Sequence, residues 1–128
     1  MSEAAVRDAP ATSVEAAALT KATVRAAQKL GLTNRALAAV IGLSEPTISR
    51  MSKGEYGLSR KDKAFELSVL FVRLYRSLDA IVGGDEQVAR AWLTNANTAL
   101  RETPITMIQT VGGLVNVVQY LDSRRARI

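Results

Sequence analysis

The chain contains no cysteine and no histidine, and aromatic residues make up only 5% of its 128 positions. These absences exclude disulfides, cysteine- or histidine-based zinc sites, imidazole general bases and thiol nucleophiles. With so few rings, a core has to be assembled from Leu, Val, Ile and Ala, and the abundance of alanine favours helices. No apolar run approaches the roughly 18 residues of a membrane span, and the opening Met1 to Asp8 lacks the apolar stretch of a secretory signal. A soluble, cytoplasmic protein without a membrane association is therefore expected. The missing cysteines are compatible with a reducing compartment. A glycine-rich phosphate loop is also lacking, because Gly83-Gly84 and Gly112-Gly113 have neither the spacing nor a preceding strand. Asp85, Glu86 and Glu102 fall where helix caps and loops account for them. The residues thus point away from an enzyme and from any metal or cofactor.

What is present suits a folded domain, with 48% hydrophobic and 23% charged residues. The net charge of +5 favours a polyanionic partner. That excess is spread over both halves of the chain, so charge alone argues weakly.

The pattern is all-α, a helix-turn-helix bundle followed by a C-terminal helical module. Residues 1–11 mix Ala, Pro and charges without a period and read as a disordered tail. Thr12-Ser-Val-Glu15 has the form of a capping box, after which Leu19, Val24, Ala27 and Leu30 recur at helical spacing until Gly31. Short helices are predicted over Asn34–Ile41 and Ser44–Met51, completing a helix-turn-helix domain over residues 12–60. Residues 61–82 form the longest helix, nearly apolar all round, a central connecting or dimerisation element buried by neighbours or by a partner chain. Residues 83–128 form a second module. In it Asp85 caps one helix, Thr103-Pro104 starts another, and Gly112-Gly113 interrupts the chain before an apolar stretch from Leu114 to Leu121. The basic residues from Ser123 to Ile128 are expected to be mobile.

The segment from Asn34 to Lys53 carries the strongest signal. Two helices crossing steeply over a short turn need a small residue at the crossing, which Ala38 provides. The turn needs positive φ, which Gly42 supplies without a Cβ clash. Ser44 is placed to cap the second helix and Pro46 sits in its first turn. If that helix enters the major groove, Glu45, Thr47, Ser49, Arg50 and Lys53 face the duplex, and Ser44 lies at its entry. Arg50 suits a bidentate contact to guanine, and Thr47 and Ser49 suit base edges or phosphate. Lys53, Arg35 and Arg60 suit phosphates.

The spacing of Leu37-Ala38, Gly42, Ser44, Ile48-Ser49-Arg50 and Gly54 resembles the helix-turn-helix of phage-repressor-like Xre regulators. Downstream, Trp92-Leu93, Asn97, Leu100, Thr103-Pro104, Gly112-Gly113, Val117 and Leu121 resemble the toxin-binding region of Xre/MbcA/ParS antitoxins. One departure is Val111, where that family often has an acidic residue before its glycine. The resemblance implies a type II antitoxin that blocks the active site of an NAD-depleting RES-domain toxin. It also implies repression of its own operon through operator DNA. Within this picture Trp92, Asn97, Thr103 and Pro104 are candidate toxin contacts, Trp92 being on its own more typical of a core anchor. Arg124, Arg125 and Arg127 are candidates to pair with acidic groups at the toxin's pocket mouth, and the carboxylate of Ile128 to enter the pocket. A homodimer on a palindromic site is expected. Two alternatives stay open: a plain phage- or plasmid-type repressor whose C-terminal half only dimerises, and a protein-binding module without DNA activity.

Overall fold

The computed structural model describes residues 3–126, with side chains described from Val14 onward. Arg127 and Ile128 lie outside the described residues. Within them the chain forms seven helices and no strand: α1 (Glu3–Leu30), α2 (Asn34–Ile41), α3 (Glu45–Ser52), α4 (Lys63–Ile81), α5 (Glu86–Thr94), α6 (Pro104–Met107) and α7 (Val111–Arg125).

α1 buries Ala16, Thr20, Thr23, Ala27 and Leu30, spaced four, three, four and three residues apart, which is one stripe of a helix. The stripe is built of small side chains, so the neighbouring backbone can approach closely. Its two hydroxyls are satisfied within the helix, Thr20 donating to Ala16 O (2.6 Å) and Thr23 to Leu19 O (2.8 Å). Gly31, at φ 73°, ends the helix, with Leu32 N–H returning to Ala27 O and Gly31 N–H to Gln28 O. The helix also begins earlier than expected: Thr12, read as a cap, falls inside it, and residues 3–11 are helical rather than a tail.

α4 is the hub. It is covered by α1, α2, α5 and α7 of its own chain, which is why its sequence is apolar on so many sides. Phe71, Leu74 and Leu78 are fully buried along it. α7 packs along α4 through Leu114, Val117, Val118 and Leu121, again one helical stripe. Three boundaries differ from the sequence expectation. α4 starts at Lys63 with Asp62 as N-cap. α7 starts at Val111, so that Gly112 and Gly113 form its first turn instead of interrupting the chain. It also runs on to Arg125, so residues 123–125 are helix and not a mobile arm. At Gly113 the requirement is set by α6, which presses on that turn: a Cβ there would run into the carbonyl of Met107 and lie 2.8 Å from Thr110 Oγ1.

The two halves are also joined by a polar clamp. Arg90 of α5 donates from Nε to Lys29 O (3.0 Å) and from Nη2 to Gln28 O (3.0 Å), two carbonyls at the C-terminus of α1, the second of which also accepts from Gly31 N–H (3.1 Å). Replacing Arg90 by alanine is expected to cost about 1 kcal/mol, since two charge-assisted bonds to helix-end carbonyls are lost at a partly exposed site. Arg90→Lys, which cannot fork to both carbonyls, should fall between. Urea unfolding of the three proteins checks the order.

Candidate functional site

α2 and α3 are held in their crossing by Leu37, Ala38, Val40, Ile41, Ile48 and Met51, all buried. Gly42, at φ 74°, makes the turn, and the N–H groups of Gly42 and Leu43 both return to Ala38 O (2.9 and 3.1 Å). Ser44 caps α3 by accepting from Thr47 N–H (3.3 Å), and its hydroxyl lies 2.8 Å from that of Thr47. Arg50 then donates from Nη2 to Thr47 Oγ1 (3.1 Å). The guanidinium of the exposed Arg50 is therefore tethered at one corner, and among the described residues its other donors meet no acceptor. Glu45 and Lys53 are exposed at the two ends of the helix, and Ser49 is half-buried. Arg35 is exposed at the start of α2. Arg60 stands apart from this group. It bridges to Glu15 (3.0 Å) and lies over the ring of Phe65, 5.8 Å from its centroid.

In the C-terminal half two half-buried aromatic side chains form a stack. Trp92 of α5 and Tyr120 of α7 lie with centroids 6.3 Å apart and planes 17° from parallel. Arg124 joins them at Tyr120, its guanidinium carbon 5.8 Å from the Tyr120 centroid and its Nη1 donating to Tyr120 Oη (3.0 Å). Trp92 is half-buried rather than a core anchor, because Leu93, one helical position on, takes the core.

Residues 9–73 match the family model described as the antitoxin Xre-like helix-turn-helix domain, and residues 77–127 match the antitoxin Xre/MbcA/ParS C-terminal toxin-binding domain. The chain belongs to the Xre-like antitoxins. No curated protein matches it. The two matches meet inside α4, so the antitoxin's helix-turn-helix and toxin-binding domains share one core helix.

The antitoxin's predicted toxin contacts divide by environment. Trp92 and Arg124 come together in the stack. Pro104 does not join them: it is fully buried, its ring filling the core at the first position of α6. Asn97 is turned inward on its own loop, where Oδ1 accepts from Ala99 N–H (3.0 Å) and Leu100 N–H (3.2 Å). Thr103 caps α6, with its hydroxyl 2.9 Å from that of Thr106. Arg125 reaches back to Ser77 Oγ (3.5 Å) beside the Arg73–Asp122 ion pair (2.6 Å) and so supports the α4–α7 contact. Sequence reasoning missed Tyr120, whose signal was its place three and four residues from Val117 and Arg124 on one helix. It also missed Lys21, Arg25 and Gln28, which recur at i, i+4 and i+7 on α1 beside the buried stripe.

No helix of the described residues is long and apolar enough to cross a membrane, and no cluster of three acidic or other ligating side chains is found among them.

Proposed function

We propose that this antitoxin neutralises a RES-domain, NAD-depleting toxin by covering its active site with the α5–α7 half. We further propose that it represses its own operon by placing α3 in the major groove of operator DNA. The observation that carries the DNA part is the Ser44–Thr47–Arg50 chain of hydrogen bonds, which pre-positions a guanidinium on a helix about 12 Å long, short enough to lie within one groove. Arg50 is then the base-reading residue, Thr47 its tether, and Arg35 and Lys53 phosphate contacts at the helix ends. Two copies related by a two-fold axis present two such helices to a palindrome.

For the toxin part, support comes from the match over residues 77–127 and from the Trp92–Tyr120–Arg124 stack, whose two rings are half-buried and whose arginine is exposed. Trp, Tyr and Arg are the side chains that dominate interface energetics. Co-expression with the neighbouring gene product, followed by co-purification and an NAD assay, tests the reading. Restored NAD together with a stable complex supports it, whereas sustained NAD loss overturns the toxin half. Trp92→Ala is expected to weaken toxin binding at least tenfold, by loss of a large aromatic contact. Calorimetric titration against purified toxin checks it, and unchanged affinity would place the interface elsewhere.

A further inference from the structure

α1 carries a second face that the fold does not use. Beside its buried stripe, Lys21, Arg25 and Gln28 turn towards the loop that follows α3, and between them lies an open groove of about 710 Å³. Its floor is apolar, with Val24 and the end of Met51, and its rim is basic, with Lys21 and Arg25 on one side and Lys53 on the other. Glu55 is the one acid in the lining, and among the described residues no carboxylate bridges to these three cations. The loop backbone is open as well. Gly54 N–H returns to Met51 O (3.1 Å), Glu55 N–H to Arg50 O (2.8 Å) and Leu58 N–H to Thr20 Oγ1 (3.0 Å). The N–H groups of Tyr56 and Gly57 between them meet no acceptor among the described residues. Positions 54 and 57 are glycines with nothing within 4 Å of a would-be Cβ, so a bulky ligand can come against the main chain there.

Cations from two elements, backbone donors without an acceptor among the described residues and a glycine-flanked approach together offer what an anion needs. It begins at Lys53, where α3 ends. We infer that the groove between α1 and the Lys53–Gly57 loop holds the sugar–phosphate backbone flanking the base pairs that α3 reads, with Lys21 and Arg25 as its cations and Tyr56 and Gly57 N–H as donors. The inference rests on the DNA reading proposed above and extends the contact from the helix-turn-helix to the N-terminal helix. α1 is then a clamp on the duplex as well as a scaffold. Contacts of this kind add affinity without sequence preference and release counterions.

The test measures binding of the full chain to its own promoter duplex and to an unrelated duplex between 50 and 300 mM salt. The wild type is compared with the double variant Lys21→Ala/Arg25→Ala and the charge-keeping Lys21→Arg/Arg25→Lys. Each lost phosphate contact lowers the slope of log affinity against log salt by about 0.9. The alanine pair is expected to lower it by about two per protomer and to weaken both duplexes by the same factor, while the charge-keeping pair retains the slope. An unchanged slope in the alanine pair, with promoter binding intact, overturns the clamp and leaves the DNA reading standing. Absence of any DNA binding by the wild type at 50 mM salt overturns the DNA reading and the clamp with it.

Discussion

Gly113→Ala is expected to lower the thermal unfolding midpoint by about 10 °C, the shift that follows from a loss near 3 kcal/mol in a chain of this size. The cause is a collision with main chain: the new methyl group would meet the Met107 carbonyl, which is held by Thr110 N–H (3.2 Å) in the turn between α6 and α7. Thr110 adds to the constraint, since its hydroxyl already accepts from Gly113 N–H (3.1 Å) and caps α7. Gly112→Ala, one residue away, provides the contrast. That position is exposed with nothing within 4 Å of a Cβ. Alanine there only removes freedom from the unfolded chain, and a gain of up to about 1 kcal/mol is expected. Differential scanning calorimetry of both variants decides the matter. Equal midpoints for the two would mean that α6 does not press on the first turn of α7.

Arg50→Ala is expected to reduce affinity for the promoter about thirtyfold, with little change in melting temperature. The size follows from a bidentate arginine–guanine contact, whose loss costs about 2 kcal/mol. Arg50 is exposed and its visible protein contact is a single bond to Thr47, so stability has little to lose. Affinity for unrelated DNA should fall only by the loss of one charge, and the ratio between the two duplexes should shrink. Thr47→Val keeps the shape of α3 and removes the tether, so a smaller loss of the same kind is expected. An Arg50→Ala protein that still separates promoter from unrelated DNA as well as the wild type would show that another residue reads the bases.

Much of the helix-turn-helix was legible because its constraints are local. Ala38, Gly42, Ser44 and Pro46 each meet a requirement set by residues within one turn, and all stand where the spacing placed them. The C-terminal half was legible as helices but not in its details, because those depend on distant neighbours. Gly112 and Gly113 read alike as a chain break. Only the approach of α6 to Gly113 distinguishes them, and both lie in the first turn of α7 under the Thr110 cap. Trp92 and Leu93 are adjacent and both apolar, so the choice of core residue rests on where α1, α4 and α6 lie. The arm from Ser123 was read from its charges, whereas the stripe ending in Leu121 carries the helix through Arg125. Arg90 gave no local sign at all, since its partners Gln28 and Lys29 are some sixty residues earlier.

The seam between the two family matches falls between residues 73 and 77, within one unbroken helix whose turns are buried on both sides of that point. There is consequently no hinge at which the chain can be cut or bent. A protease has no exposed linker to enter there, and a chimera joined at the seam inherits Phe71 and Leu74 from one parent and Ser77 and Leu78 from the other. Such an exchange succeeds only when α1 and α7 of the two parents present matching faces to the shared helix. The toxin-binding domain and the helix-turn-helix domain are thus inherited together, as one piece of packing.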